Sequence, residues 1–184
     1  MFRSPSGIDQ NVILTGYIGP GQLPVARGVA ERLKMPFVDF AQRFEERADM
    51  PAEEMRALYG DSRTKALESE LVDEIALFRG TVIHISGQIL LHGDHYAALQ
   101  STGPVICLVA SIDAVLQRLH LALGARYHNP RERSLAIGTL HREWAVRSQP
   151  GICEIDTSAM DEPAIIEAVA STWRNLTGVI DWRP

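Results

Sequence analysis

Residues 11–33, NVILTGYIGPGQLPVARGVAERL, decide the fold of this 184-residue chain. The apolar run 11–15 is typical of a short strand that is buried on both faces. A glycine-rich loop, 16–22, follows it, and from residue 25 to residue 33 apolar side chains recur every four positions, the spacing of a helix packed on a core. Pro24 falls in the first helical turn, where proline is tolerated. The stretch therefore predicts a strand, a glycine loop and a helix.

Four further short apolar runs predict four more strands, at 36–40, 81–86, 104–110 and 151–156. Segments with helical periodicity lie between and after them, at 41–48, 52–59, 62–79, 94–100, 112–123 and 162–173. Strands that alternate with helices predict a parallel sheet covered on both faces, with ligands bound at the carboxyl ends of the strands. We therefore expect the site in the loops after Thr15, Phe40, Ser86 and Ala110.

The composition excludes several classes of protein. The chain is 46% hydrophobic and 22% charged, which fits one compact domain. Its 18 basic and 23 acidic residues leave a net charge of −5, which argues against a nucleic acid partner because phosphate binding needs a clustered cationic excess. No stretch reaches the roughly 18 consecutive apolar residues of a membrane span, so we expect no membrane partner. Cys107 and Cys153 lie in apolar runs, which predicts free thiols and a cytoplasmic protein.

The glycine loop has the spacing of a phosphate-binding loop. Gly16, Gly19 and Gly21 fit the pattern of Gly, four residues, Gly, Lys and then Ser or Thr. Such glycines let backbone amides face an anion beside a helix N-terminus. Gln22 stands at the lysine position without a charge for the phosphates, and Leu23 stands at the hydroxyl position and cannot ligate Mg²⁺. The predicted nucleotide site therefore lacks its cation and its metal anchor.

Two prolines weaken anion binding by the loop further. Pro20 and Pro24 occupy positions whose amides would help to hold phosphate, and proline has no amide hydrogen. Each charged hydrogen bond that is lost removes roughly 1.5–3 kcal/mol. The only lysines, Lys34 and Lys65, both lie outside the loop. The pattern favours a glycine-rich turn kept with the fold, and phosphate binding is the alternative.

The segment 11–40, which ends in LKMPFVDF, resembles the amino-terminal part of shikimate kinase, in the adenylate-kinase-like group of P-loop small-molecule kinases. The resemblance extends loosely to about residue 176. It implies a three-layer αβα fold with a five-stranded parallel sheet in the order 2-3-1-4-5 and an arginine-rich lid at about 124–147. It also implies ATP and Mg²⁺ as cofactors if the protein is active. We expect 1–10 to be a flexible N-terminus, 11–176 a single domain and 177–184 a tail.

The resemblance assigns roles to residues that follow two of the strands. In FVDFA at 37–41, Asp39 matches an acid that the family associates with Mg²⁺, so it is the expected metal ligand and a catalytic residue. Ala41 replaces the family's substrate-binding acid. Ser86-Gly87-Gln88 aligns with a triple glycine that lets the substrate approach the backbone, so only Gly87 remains as a predicted substrate contact.

Two basic residues match substrate-binding arginines of the family. Lys65 takes one of these positions, with Glu68 one helical turn later as its expected ion-pair partner. Arg147, in Arg-Ser-Gln-Pro, matches an arginine that the family uses for the substrate carboxylate. The alternative for Arg147 is a solvated helix face, on which Glu143 and Arg147 stand four residues apart as an ordinary ion pair.

The arginine-rich segment also matches the family's lid, whose arginines close over the phosphates during transfer. Arg126 is the predicted catalytic arginine, and Arg131 and Arg133 lie in the same region. A solvated helix face is again the alternative. His92 and His95, with His84 upstream, form a weak zinc pattern without an evident fourth ligand, which favours ordinary surface and core histidines.

Two functional hypotheses follow. In the first, a kinase-like protein without catalysis binds a small metabolite, an anion or a protein through the cleft in which the kinases bind their ligands. In the second, a divergent kinase moves the γ-phosphate of ATP to a hydroxyl of a small metabolite, with the lid arginines neutralising the developing charge. The missing loop lysine and hydroxyl favour the first. Trp173 and Trp182 are expected to seal the core or a subunit contact, so a homodimer stays open.

Overall fold

The computed structural model describes residues 9–124 and 129–179. Five strands form its sheet: β1 is Val12–Gly16, β2 Phe37–Asp39, β3 Val82–His84, β4 Val105–Val109 and β5 Cys153–Asp156. All four pairings are parallel, and the order across the sheet is β2-β3-β1-β4-β5. The predicted fold class and strand order are confirmed. A predicted lid helix is also present, although Arg126 lies outside the described residues.

Helices cover both faces of this sheet. In the described part of the chain they are α1 Gln22–Leu33, α2 Phe40–Ala48, α3 Ala52–Tyr59, α4 Asp61–Ile75, α5 Gly87–Leu90, α6 His95–Gln100, α7 Ile112–Leu123, α8 Pro130–Trp144 and α9 Glu162–Thr177, with a 3₁₀ turn at Ala145–Ser148. None of the described helices is long and apolar enough to span a membrane. The short α5, directly after the β3 segment, was not predicted because its apolar residues have no helical period of their own.

The central strand β1 separates two apolar layers. Alternate side chains point to opposite faces, so Val12 and Leu14 pack against α1 and α9, whereas Ile13 packs against α2, α4 and α6. All five β1 residues are buried. Trp173 is 4% exposed and its indole N–H donates to the Asn11 carbonyl, 3.2 Å away, so it seals the core at the amino end of β1. The opposite, carboxyl edge of the sheet is left for the site.

Parallel pairing brings three chain segments together at that edge. Asp39 at the end of β2 pairs in register with His84 at the end of β3, and His84 pairs with Leu14 of β1. The glycine loop leaves β1 two residues later, at Gly16. The lid helix α8 packs over the same edge, where the Trp144 indole donates to the Tyr17 carbonyl, 3.0 Å away.

Candidate functional site

The glycine loop, residues 16–22, depends on two glycines for its shape. Gly16 has φ +99° and Gly19 has φ +104°, a region that residues with a Cβ atom rarely adopt. A Cβ atom at Gly16 would also lie 2.2 Å from the Leu108 carbonyl oxygen of β4. Gly21, with φ −83°, precedes α1 as its N-cap. Glycines 16 and 19 therefore serve the loop's own backbone, whatever the loop binds.

The Gln22 side chain closes the glycine loop on itself. Gln22 is 8% exposed, and its amide oxygen accepts the Ile18 backbone N–H at 3.1 Å. Its amide nitrogen donates to the Gly16 carbonyl at 2.8 Å. A neutral side chain at the lysine position thus satisfies one donor and one acceptor of the loop backbone.

A histidine links the loop to the end of β2. His84 Nδ1 lies 2.7 Å from Asp39 Oδ1, and its Nε2 lies 3.3 Å from the Gln22 amide nitrogen. A carboxylate only accepts, so we assign the ring proton to Nδ1, which leaves Nε2 to accept from Gln22. The other Asp39 oxygen caps α2 by accepting the Gln42 N–H at 3.2 Å. Asp39, His84 and Gln22 therefore form one hydrogen-bonded chain across the ends of β2, β3 and β1.

The lid helix brings a second carboxylate to this edge. Glu143 of α8 is 7% exposed and accepts three hydrogen bonds from the Gly87 turn, which comprises Ser86, Gly87 and Gln88. The Glu143–Arg147 ion pair of the alternative interpretation does not form, because the Glu143 side chain turns inward to these donors and Arg147 binds Glu154 instead. The predicted substrate contact Gly87 is occupied by α8.

These groups surround a cavity of about 300 Å³, which we call the cleft cavity. Both turns, β2 and α8 contribute to its wall. Burial raises the pKa of Tyr17, so this phenol stays neutral near pH 7. No lysine or arginine is present among the lining residues that the structure describes. The lining is Gly16, Tyr17, Gly19, Pro20, Gln22, Leu23, Asp39, Phe40, Ala41, His84, Ile85, Ser86, Ile89, Thr139 and Glu143.

Lys65 and Arg147, the predicted substrate contacts, lie away from the cleft cavity. Lys65 pairs with Asp61 at 2.7 Å, so the expected pair with Glu68 is wrong. Arg147 contacts Glu154 through Nη2 at 2.7 Å, and this hydrogen bond raises the pKa of Arg147. Both basic side chains are close to half exposed. The structure therefore brings neither of them to the site.

The predicted histidine and arginine groups are also dispersed. His92 contacts the buried Glu68 at 3.0 Å, and His95 contacts Ser69 and the Ile89 carbonyl. Among residues 9–124 and 129–179 no group of three or more His, Cys, Asp or Glu is placed to hold a metal ion. Arg131 and Arg133 are exposed on α8. Arg126 lies outside the described residues.

A second cavity, of about 480 Å³, lies on the other side of the glycine loop. Its wall includes Ile18, Gly21 and Arg118 of α7. The Arg118 guanidinium donates to the carbonyls of Ile18, Thr157 and Met160, and its partial burial lowers its pKa. Arg118 was not predicted as a site residue, because a single arginine on a helix carries no local signal of its partners. It ties the loop to the segment after β5.

The sheet order, the glycine loop at its carboxyl edge and the lid helix define the P-loop small-molecule kinase fold. The model of the shikimate kinase family matches residues 19–167. The chain belongs to the shikimate kinase family. The shikimate kinase of Thermodesulfovibrio yellowstonii is 26% identical over 171 residues, which cover 91% of this chain and 97% of that protein. The shikimate kinase of Geobacter sulfurreducens is 32% identical over 110 residues, 60% of this chain and 61% of that protein.

Solved structures share the fold. Shikimate kinase from Bacteroides thetaiotaomicron superposes with a TM-score of 0.73 at 22% identity, covering 92% of this chain and 99% of that one. Shikimate kinase from Acinetobacter baumannii in complex with shikimate gives 0.71 at 17% identity, covering 94% and 96%. A gluconokinase from Sinorhizobium meliloti gives 0.66 at 16% identity, covering 93% and 95%. At these identities the likeness is one of fold.

Proposed function

We propose that this protein binds a small metabolite in the cleft cavity and does not transfer phosphate. The observation that carries the proposal is the Gln22 side chain, which stands at the lysine position and is hydrogen bonded to the loop's own backbone at Gly16 and Ile18. A loop that binds its own neutral amide offers an incoming phosphate fewer donors and no countercharge. The fold supplies the cleft, and the loop lacks the groups that phosphoryl transfer uses.

The residues present do not fit a complex of ATP with Mg²⁺. Leu23 offers no hydroxyl to the metal and Pro20 offers no amide to the phosphates. Both Asp39 oxygens already accept hydrogen bonds, from His84 and from the Gln42 backbone. The proposed function therefore needs neither ATP nor Mg²⁺.

The charge of the lining favours an uncharged or cationic metabolite. Asp39 and Glu143 both line the cleft cavity, and no lysine or arginine of the described residues faces them there. A ligand carboxylate or phosphate would meet two like charges at short range, where the dielectric is lower than in water. Shikimate, bound by the relative from A. baumannii, carries a carboxylate. We therefore propose a ligand other than shikimate.

Calorimetric titration tests the absence of nucleotide and shikimate binding. We expect no heat from ATP with Mg²⁺, from shikimate, or from both together, under conditions in which the A. baumannii shikimate kinase binds shikimate. Micromolar binding of ATP that is lost in Asp39→Ala would contradict the proposal.

Thermal-shift measurements with small metabolites matched in size test the cleft itself. Neutral polyols and amines are expected to stabilise the protein, and carboxylates of the same size are not. Ala41→Phe, which fills the mouth of the cleft cavity, should abolish the shift. Ala122→Phe in the second cavity is the matched control and should leave the shift unchanged.

The alternative function is a divergent kinase, which the left-handed glycines of the loop and the retained Asp39 favour. Its countercharge would come from the lid arginines, of which Arg126 is the predicted catalytic residue. Transfer of phosphate from ATP to shikimate or gluconate by the unaltered chain, lost in Arg126→Ala, would establish it. The predicted cytoplasmic location and homodimer stay predictions.

A further inference from the structure

The carboxylate of Glu143 is buried, and none of the cationic side chains in 9–124 and 129–179 pairs with it. Ser86 Oγ and the Gln88 amide donate to Oε1, at 2.7 and 3.1 Å, and the Gly87 backbone N–H donates to Oε2 at 2.6 Å. None of the ion pairs among the described residues includes Glu143. Buried charges are usually paired or fully hydrogen bonded, and three neutral donors meet that need here.

The backbone of α8 is held at the same place. A Cβ atom on Gly87 would lie 2.2 Å from the Glu143 carbonyl oxygen and 3.2 Å from the Val146 side chain. Trp144, which follows Glu143, donates from its indole to the Tyr17 carbonyl in the glycine loop. The end of the lid helix therefore contacts both turns that follow the central strands, and glycine at 87 permits the approach.

We propose that Glu143 is a built-in occupant of the Gly87 turn, which fastens α8 over the cleft cavity and denies the turn's three donors to any ligand. The inference holds whether or not the proposed function is correct, since it concerns a contact within the chain. The lid cannot leave the turn without breaking all three of these hydrogen bonds, one of them to the buried Gly87 N–H. Access to the cleft and the availability of these donors are thereby coupled, and a carboxylate ligand must compete with Glu143.

Hydrogen–deuterium exchange of the full-length protein tests the fastening. In Glu143→Ala we expect amides of α8, Pro130–Trp144, to exchange roughly tenfold faster or more, while β1 and β4 stay unchanged. Arg142→Ala is the matched control, because Arg142 is exposed on the same helix and its guanidinium donates to the Thr139 hydroxyl of that helix. It should leave the exchange of α8 within about twofold of the unaltered protein.

Sodium formate tests whether Glu143 occupies the hydrogen-bond donors of the Gly87 turn or only packs against it. Added to Glu143→Ala, formate should bind the vacated donors and raise the melting temperature, whereas sodium chloride at equal ionic strength should not. Formate should leave the unaltered protein unchanged. Unchanged exchange in Glu143→Ala, or a melting temperature of that variant that formate does not raise, would overturn the proposal.

A second variant keeps the test decisive if Glu143→Ala does not fold. Ser86→Ala combined with Gln88→Ala removes two of the three donors and retains the carboxylate. Exchange in α8 should rise in this double variant by several-fold, with the core strands unchanged. Exchange equal to that of the unaltered protein would overturn the proposal.

Discussion

The glycine loop after β1 and the Gly87 turn after β3 are each bound by a side chain of the protein itself, in two different ways. Each presents a backbone amide at the carboxyl edge of the sheet, and in each a side chain of the protein accepts from that amide. Gln22 acts within its own loop, six residues from its furthest backbone partner, whereas Glu143 reaches the turn from 56 residues further along the chain. The first contact is neutral and local, and the second is charged and joins a helix to the sheet. The glycine loop and the Gly87 turn are therefore both occupied by side chains of this chain. Only the contact at the Gly87 turn holds a helix from elsewhere in the chain.

The largest effects are expected at the glycines on which the two turns depend. Gly16→Ala combines positive φ with a clash against β4, and should lower the free energy of unfolding by about 3 kcal/mol or more. Gly87→Ala meets only the clash with α8 and should cost about 1–3 kcal/mol. Urea unfolding measures both.

Gly21→Ala is the control for these substitutions. Gly21 has φ −83° and no atom within 4 Å of an added Cβ, so its replacement should change the free energy of unfolding by less than about 1 kcal/mol. If all three alanine variants were equally stable, the close approaches at both turns would be incorrect.

The next largest effects are expected when the Glu143 and Gln22 side chains are removed, and their sizes should differ. Glu143→Ala removes the charged acceptor of three donors and should lower the free energy of unfolding by about 2–3 kcal/mol. Gln22→Ala breaks neutral hydrogen bonds and should lower it by about 1 kcal/mol. Chemical unfolding of both single variants and of the double variant gives their coupling. A larger loss in Gln22→Ala than in Glu143→Ala would reverse the comparison.

The same contrast explains which parts of the site the sequence predicts. The strands, their order and the position of Gln22 follow from local spacing and from the resemblance, because β1, the loop and α1 are consecutive. His84 carried a usable signal, since it ends the strand next to that of Asp39 in the predicted order. Glu143 carried none. Its partners are distant along the chain, and its spacing to Arg147 favoured a surface ion pair that does not form.

Restoring the loop's lost groups should have a smaller, gain-of-function effect. Gln22→Lys with Leu23→Ser returns the cation and the hydroxyl, and should bring ATP binding with Mg²⁺ into the measurable range, about tenfold or more above the unaltered chain. Pro20 still withholds an amide, which limits the gain. Calorimetry measures the gain. An unchanged affinity for ATP would mean that residues 22 and 23 do not limit nucleotide binding.

The smallest effect is expected at the family positions that lie away from both turns. Arg147 pairs with Glu154 on the surface, and exposed ion pairs contribute about 1 kcal/mol or less. Arg147→Ala should therefore change stability only slightly, and metabolite shifts at the cleft should persist, as they should in Lys65→Ala. Loss of those shifts in either variant, with stability retained, would return the basic side chain to the site. Loss in Arg147→Ala would also mean that the lid moves far enough to bring Arg147 inward, which the Glu143 contact opposes.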